Sequence, residues 1–395
     1  MLQLTEWRRS ESLALTHSER RALEGHFDAH VESTGDPTLM SVTPGSIIGS
    51  LSVAGRTITV APKIPIDRVL FMTAFTADPY RWQEETASLG HTDDLVLGLA
   101  RLFIRSCDGV VARGLLRAYR QQHADLPYVR GRIEWQRQMR RVLPVPLALT
   151  FRVHDDNVVE NQIVRTSLAI LRRLIQVSPE AEDALMGLNR MWKQFREFDE
   201  LRDPLAALNR LSWTRHNEHY RPLLDLCRVV LENEMAELEA GTVPVTGFTL
   251  NMPDLFERFV RSALEHFSGY SMATPDGRTL TLDPVGRIDL HPDLATRTER
   301  GWIFVGDVKY KRDGGRGKNA DLYQLLAYAT AAELSEATLI YADGPLDATQ
   351  HLVKHSGVTL HVLRLDLRER PKQVLSQLAN IAKLVQAEPA RATIS

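Results

Sequence analysis

The sequence has little cysteine and no long apolar run. Cys107 and Cys227 are the two cysteines among 395 residues, and they lie too far apart in sequence to form a metal-binding pair. No apolar stretch approaches the roughly 20 residues that a membrane-spanning helix needs. The first residues lack the apolar segment of a secretion signal. We therefore expect reduced thiols, a cytoplasmic location and no membrane partner.

An overall excess of positive charge is also absent. The formal net charge is −2, which argues against tight, sequence-independent coating of DNA, because such binding needs many phosphate contacts. The charge is unevenly distributed, however, since residues 101–141 contain ten arginines and three acidic residues. This stretch could contact phosphate or an acidic partner surface. A solvated helical face that forms ion pairs with other segments is the alternative.

A nucleotide-binding P-loop is missing as well. Residues 313–318 are rich in glycine and are predicted to lie between a strand and a helix, as a P-loop does. A P-loop requires glycine, four residues, Gly-Lys and then serine or threonine. Here Arg312 stands in place of the first glycine, and Asn319 follows Lys318. We expect a flexible turn at this position, and a chain that is not its own NTPase.

The length predicts two or three domains. Residues 47–64 alternate between apolar and polar side chains around a glycine-containing turn, which is typical of a β-hairpin. Helical periodicity follows to about residue 120 and again from about residue 159 to 240. We predict an N-terminal α+β region over 1–148, a helical connector over 149–245 and a third domain over 246–395.

The third domain is predicted to be α/β, with a mixed central sheet flanked by helices. Its expected elements, in chain order, are a helix at 253–266, strands at 279–282, 286–290 and 302–310, a helix at about 320–334, strands at 338–341 and 359–365, and a helix at 372–386.

Three residues of this domain form a candidate metal-dependent phosphodiesterase site. Phosphodiester hydrolysis needs a nucleophilic water and charge neutralisation, and a divalent cation held by carboxylates supplies much of both. Asp307 and Lys309 are two apart on a predicted strand, so they share a face. We expect Asp289 to lie across from Asp307 on an antiparallel strand, with residues 291–300 as a polar loop. An ion-pair cluster on a sheet edge is the alternative.

Five further residues are candidates for the same site. Gln324 and Tyr328 are four apart and share a helical face, although Tyr328 could equally be a packing aromatic. Glu257 is a third candidate carboxylate or else a solvent-facing helix residue. Arg287 could contact backbone phosphate. Lys311 could bind nucleic acid or simply end a strand in solvent.

These residues resemble a known family. Gly286-Arg287-Ile288-Asp289, then Asp307-Val308-Lys309, then Gln324 and Tyr328 resemble the PD-(D/E)xK nuclease signature with the Q-x-x-x-Y motif of its RecB-like branch. The chain is further similar to the McrC family, the nuclease subunit of the McrBC modification-dependent restriction system. This likeness covers roughly residues 45–345 and rests on residues 58–64, 130–133, 157–163, 248–252, 307–311 and 321–324.

The resemblance implies a restriction-endonuclease-like fold for residues 246–395 and a DNA endonuclease activity. It implies Mg²⁺, for which Mn²⁺ can substitute, held by Asp289, Asp307 and Glu257. It also implies catalytic roles for Asp289, Asp307, Lys309, Gln324 and Tyr328.

The resemblance also implies a partner. Members of the McrC family act with a ring of McrB, an AAA+ subunit that binds GTP and recognises double-stranded DNA carrying modified cytosine. The N-terminal part of the chain would engage this ring and stimulate its GTPase. Arg130 and Arg132, which flank Gly131, could act on the partner's nucleotide as arginine fingers do. A turn held by salt bridges is the alternative.

Two other functions remain open from the sequence. One is a stand-alone RecB-like repair or processing nuclease that needs no motor. The other is a non-cleaving protein that activates an AAA+ ring.

Overall fold

The computed structural model describes residues 1–36, 38–80, 94–175, 181–237, 245–272, 280–311, 317–342 and 348–386. The chain forms two compact units. Unit 1 contains Met1–Gly98 and Met235–Ser395, and unit 2 contains Leu99–Glu234. The two ends of the chain therefore build one unit together, which differs from the division at residues 148 and 245 expected from the sequence.

The described residues form helices of 4 to 19 residues. They are His17–His26 (α1), Ile66–Ala77 (α2), Leu95–Arg113 (α3), Trp135–Gln138 (α4), Val159–Ile175 (α5), Glu182–Phe195 (α6), Pro204–Asn209 (α7), Arg221–Asn233 (α8), Met252–Ser268 (α9), Asn319–Ala331 (α10) and Pro371–Gln386 (α11). No helix in these ranges is both long and apolar enough to cross a bilayer.

Within the same described ranges, the strands lie in five sheets of two to five strands. They are Leu2–Thr5 (β1), His30–Ser33 (β2), Met40–Thr43 (β3), Ile47–Val53 (β4), Arg56–Ala61 (β5), Ala118–Leu126 (β6), Arg132–Ile133 (β7), Leu147–Asp155 (β8), Glu234–Glu237 (β9), Val245–Asn251 (β10), Leu280–Thr281 (β11), Asp289–Leu290 (β12), Leu294–Thr298 (β13), Gly301–Lys309 (β14), Glu336–Tyr341 (β15), Thr349–Leu352 (β16) and Thr359–Arg364 (β17).

The first sheet of unit 1 joins the two ends of the chain. Its strand order is β1-β5-β4-β10-β9. The predicted hairpin is confirmed as β4 and β5, which pair around Ala54 and Gly55. Both turn residues have positive φ, as a two-residue type I′ turn requires. β10 pairs antiparallel with β4 and ends where α9 begins, so the N-terminal hairpin directly supports the start of the C-terminal region.

The second sheet of unit 1 is the predicted mixed sheet. Its order is β13-β14-β15-β17-β16, with β14, β15 and β17 parallel and the two edge strands antiparallel to their neighbours. Side chains of α10 pack against Val305 of β14. Tyr310, of opposite parity and directly after β14, contacts Phe256 of α9. Helices therefore cover both faces of the strand that carries the candidate site.

Unit 2 contains a three-stranded antiparallel sheet of order β6-β8-β7, together with helices. Two sequence expectations differ from the structure here. The helical periodicity expected to about residue 120 ends earlier, because β6 begins at Ala118, and most of β8 lies within residues 149–245, which were expected to be a helical connector. β6 alternates between exposed and half-buried positions, but its side chains are mostly polar. The sequence of β6 therefore lacks the alternation of apolar and polar residues from which a strand is predicted.

Candidate functional site

The candidate site is centred on β14. Period-two alternation places Asp307 and Lys309 on one face of this strand. Asp307 is buried, with 1% of its surface exposed, and the Lys309 ammonium lies 2.5 Å from its Oδ2. The predicted proximity of these two residues is therefore present in the fold.

The second carboxylate of the site is Asp293. In the antiparallel pairing of β13 with β14, Leu294 lies opposite Gly306, so the preceding residue, Asp293, lies opposite Asp307. Asp293 Oδ2 accepts a hydrogen bond of 2.8 Å from the Val308 amide and lies 3.6 Å from the Lys309 ammonium. Lys309 thus contacts both carboxylates.

Asp289 occupies a different place, and its expected pairing with Asp307 is wrong. It lies on β12 opposite Thr281, in a separate two-stranded sheet, and its side chain is exposed. Half of residues 291–300, which were expected to be a polar loop, form a strand instead, because Leu294–Thr298 are β13. The sequence does contain a signal for this strand, since Pro292-Asp293 immediately precedes the apolar pair Leu294-Ala295.

Burial and charge perturb the ionisation of the site. Burial, followed by the charge of Asp293, raises the pKa of Asp307 to about 7, although Lys309 opposes the shift. Burial alone would lower the pKa of Lys309, but its contact with Asp307 and the charge of Asp293 outweigh burial and raise it. The lysine therefore stays charged between two acids, one of which holds a proton near neutral pH.

This perturbation predicts a pH-dependent gain of stability on removing the charge. In EDTA at pH 8.5, Asp307→Asn should raise the free energy of unfolding by about 1–3 kcal/mol, because the ionised carboxylate is disfavoured in the fold. Wild type keeps the full stability only where the carboxyl is protonated in both states, and it loses that stability as the pH rises from 3.8, where the unfolded chain ionises, to about 7, where the folded protein ionises. The gain should therefore be clearly smaller at pH 5 than at pH 8.5 in thermal or urea unfolding.

The exposed residue Asp289 provides the control for this prediction. Asp289→Asn removes the same charge and should show no pH-dependent gain. A lower stability of Asp307→Asn at pH 8.5 would contradict the assigned cost of the buried charge.

Glu257 lies on α9 and interacts electrostatically with Asp293 and Lys309. Its side chain pairs with Arg261 at 2.6 Å, and Arg261 also donates a hydrogen bond of 2.8 Å to the main-chain oxygen of Asp293. Burial, followed by the charge of Asp293, raises the pKa of Glu257. Glu257 is therefore coupled to the site, and is not simply a solvent-facing helix residue.

Gln324 and Tyr328 hold the segment that leads to Asp293. The Tyr328 hydroxyl donates to the His291 carbonyl oxygen at 3.1 Å and accepts a hydrogen bond of 2.8 Å from Gln324 Nε2. Tyr328 is buried, and burial raises its pKa to about 12, so it remains a neutral donor. Through these contacts Gln324 and Tyr328 fix the backbone at His291, two residues before Asp293.

The two candidate nucleic-acid-binding residues have intramolecular partners. Lys311 donates to Asp321 at 2.9 Å, at the first turn of α10. Arg287 is highly exposed and lies 3.3 Å from the Asp283 carboxylate in the turn between β11 and β12. Arg287 therefore presents its charge to solvent, whereas Lys311 anchors one end of α10.

Arg130 and Arg132 belong to unit 2, and both are exposed. The Arg130 guanidinium lies over the Phe151 ring at 4.3 Å from its centroid, and Arg132 pairs with Thr150 on β8. Gly131 between them has φ +76°, and a Cβ there would lie 2.4 Å from the Thr150 carbonyl oxygen. This close approach makes glycine necessary for the turn.

The donor set of the site fits a hard divalent cation. Within the described ranges, neither carboxylate oxygen of Asp307 has a hydrogen-bond partner of good geometry, and Lys309 is its ionic neighbour. Carboxylate oxygens are the ligands that Mg²⁺ prefers, and Mg²⁺ keeps several waters. The same ranges contain no ready-made group of three acidic, histidine or cysteine ligands. Asp307 and Asp293 would therefore be the protein ligands, and the charge of Asp293 also acts on Glu257.

The fold and these contacts define an α/β protein with a buried carboxylate–lysine site on one strand of a mixed sheet. A sequence model of the family described as "McrBC 5-methylcytosine restriction system component" matches residues 42–342. The chain belongs to this family, and the resemblance predicted from its sequence is confirmed.

A solved structure is similar to this chain in overall fold. A chain from the Thermococcus gammatolerans tetradecameric assembly of McrB AAA+ hexamers with bound McrC superposes with a TM-score of 0.55 at 16% identity, covering 96% of this chain and 99% of that one. A chain of the Thermococcus gammatolerans McrBC complex has a TM-score of 0.43 at 16% identity, covering 67% of this chain and 87% of that one. No curated protein matches the chain in sequence.

Proposed function

We propose that the chain is the Mg²⁺-dependent DNA endonuclease subunit of a GTP-driven, modified-cytosine-specific restriction complex, and that it stimulates the GTPase of an AAA+ partner. The single observation that carries the nuclease activity is the contact of Lys309 with both Asp307 and Asp293 on a covered strand. Burial of an acid beside a second acid is costly, and such arrangements concentrate at functional sites.

The chemistry assigned to these residues follows from their positions. When bound, Mg²⁺ would neutralise charge on the phosphate and lower the pKa of a coordinated water. Asp307 and Asp293 would hold it, and Mn²⁺ would substitute. Lys309 would donate hydrogen bonds to the attacking water or to a phosphate oxygen. Gln324 and Tyr328 would keep the backbone at His291 in place, and so the carboxylate of Asp293.

The arrangement of elements supports a PD-(D/E)xK fold for the C-terminal part of unit 1. An antiparallel pair, β13 and β14, carries the acidic residues and the lysine, and β15 extends the sheet in parallel. α9 precedes the pair, and α10 follows it with the Gln324 and Tyr328 contacts. In this proposal the PD-(D/E)xK signature consists of Pro292-Asp293 followed by Asp307-Val308-Lys309, so Asp293 replaces Asp289 as its first acidic residue.

Unit 2 would provide the surface for the partner. Its segment from residue 128 to 145 exposes several large apolar side chains. They are Tyr128, Val129, Trp135, Met139, Val142, Leu143 and Val145. Monomeric proteins rarely expose many such side chains close together unless a partner covers them. The arginines at 130, 132 and 140 in the same segment are exposed, and would suit an acidic or nucleotide-bearing surface. Membership in the family is the basis for two further parts of the proposal. The substrate would be double-stranded DNA that carries modified cytosine, and GTP would be bound by the partner.

The proposal is tested with Lys309→Ala in the presence of the partner, GTP, Mg²⁺ and methylated DNA. We expect cleavage to fall by roughly a hundredfold or more, because the site loses its cation between the two carboxylates. Stimulation of the partner's GTPase should be unchanged, since Lys309 is in unit 1 and the proposed docking surface is in unit 2.

Lys383→Ala is the matched control, because Lys383 is an exposed residue of α11 and donates a hydrogen bond to Asn380. It should leave both activities intact. If wild type and Lys309→Ala are equally inactive in cleavage while GTPase stimulation is normal, the chain is a non-cleaving activator. Cleavage by wild type without any partner would instead indicate a stand-alone nuclease.

A further inference from the structure

A cluster in which Glu6, Phe256 and Tyr310 are buried joins the N-terminal segment to the end of the strand that carries the candidate site. We call it the Tyr310 cluster; it comprises Glu6, Trp7, Lys63, Phe256 and Tyr310. All five residues belong to unit 1. Tyr310 directly follows Lys309, and Phe256 directly precedes Glu257, so the cluster touches the backbone of two site elements.

The contacts within the cluster are specific. The Tyr310 hydroxyl donates a hydrogen bond of 2.9 Å to Glu6 Oε1. The Tyr310 ring has its centroid 5.5 Å from that of Trp7 and 5.9 Å from that of Phe256. The Lys63 ammonium lies over both rings, 3.9 Å from the Trp7 centroid and 4.2 Å from the Tyr310 centroid. Tyr310 is therefore held by a hydrogen bond, two ring contacts and a cation.

Burial makes this arrangement expensive. Glu6 is 2% exposed and Tyr310 is 5% exposed. Burial raises the pKa of Glu6, while the Tyr310 hydroxyl and the charge of Lys63 lower it. An apolar pair would fill the same space without the desolvation cost of a carboxylate. Hydrogen bonds to charged groups restrict geometry, and here they restrict the position of the residue after Lys309.

The N-terminal side of the cluster is itself anchored. The Glu6 amide donates to the Ala61 carbonyl oxygen at 3.0 Å, and the Trp7 amide donates to that of Pro44 at 2.9 Å. β1 pairs with β5 directly before these residues. Glu6 and Trp7 lie outside residues 42–342, the part matched by the family model. Their contacts add a fixed point to the site from beyond the matched region.

We infer that Glu6 and Trp7 are positioning residues for the nuclease site: by fixing Tyr310, they fix the end of β14 and hold the Lys309 ammonium between Asp293 and Asp307. This inference rests on the proposed nuclease function. It assigns a role to the first residues of the chain, for which the sequence motifs offered none.

Tyr310→Phe tests the inference with the smallest change, because it keeps the ring contacts and removes the hydrogen bond to Glu6. The full chain is measured with its partner, GTP, Mg²⁺ and methylated DNA under single-turnover conditions. We expect the cleavage rate constant to fall about tenfold, with GTPase stimulation and the DNA concentration for half-maximal cleavage unchanged, because a displaced lysine affects the chemical step.

Two comparisons separate positioning from lost stability. Ile58→Val, at a fully buried position of β5, should lower the Tm about as much as Tyr310→Phe does. Its cleavage rate constant should stay within about twofold of wild type. Glu6→Gln retains an oxygen that accepts the Tyr310 hydrogen, so it should cleave within about threefold of wild type, whereas Glu6→Leu should match Tyr310→Phe.

The outcomes are distinguishable. If wild type cleaves and Tyr310→Phe cleaves equally well, or if Ile58→Val loses as much activity as Tyr310→Phe, the inference is overturned and the proposed function stands. If wild type does not cleave under any of these conditions, the proposed function fails and the inference fails with it.

Discussion

Asp293→Asn should abolish Mg²⁺-dependent DNA cleavage, whereas Asp289→Asn should leave it nearly unchanged. The expected loss for Asp293 is roughly a hundredfold or more, since a proposed metal ligand loses its charge. Asp293 lies beside Asp307 and Lys309, while Asp289 is exposed on a separate pair of short strands. Cleavage of methylated DNA with the partner and GTP measures both variants.

The two substitutions are chemically identical and only four residues apart, so they control for each other. A metal readout strengthens the comparison: the rise in Tm on adding Mg²⁺ should disappear for Asp293→Asn and persist for Asp289→Asn. The opposite result in both assays would restore the motif as first read from the sequence, with Asp289 as ligand.

Gly131→Val should reduce stimulation of the partner's GTPase by about an order of magnitude or more. Any Cβ at this position would meet the Thr150 carbonyl oxygen at 2.4 Å and the Phe151 Cβ at 2.5 Å, and φ is +76°. Pairing of β7 with β8 would be lost, and with it the display of Arg130 and Arg132. The measurement is GTP hydrolysis by the partner with and without each variant.

Gly109→Ala is the control for this variant, because Gly109 lies inside α3 of the same unit and a Cβ there meets nothing within 4 Å. It should stimulate as wild type does. The Mg²⁺-dependent rise in Tm should survive in Gly131→Val, since the proposed metal ligands belong to unit 1. Full stimulation by Gly131→Val would exclude this turn from the partner surface.

Local patterns in the sequence located part of the site. Asp307 and Lys309 were predictable as neighbours, because alternation on one strand needs no knowledge of distant residues. Asp293 was missed because β13 is short and half polar, and because its pairing with β14 shifts register between Thr296 and Arg297. A bulge breaks the period of two by which strands are recognised.

Long-range pairing was not predictable from local patterns. The hairpin of β4 and β5 could be located by its alternation and its turn, but nothing in its sequence specifies that β10 pairs beside it. That contact joins residues about 200 positions apart and depends on the whole chain. The same limit applies to Glu6, whose partner Tyr310 is 304 positions away.

The order of the two units along the chain has a consequence for limited proteolysis. Unit 2 begins after Gly98 and ends before Met235, so the chain leaves unit 1 and returns to it. Two peptide connections therefore hold unit 2. A protease that cuts one connection leaves unit 2 covalently attached through the other. Release of a separate unit 2 fragment should require both cuts, whereas a single cut should give two fragments that remain together through the β4–β10 pairing until the protein is denatured.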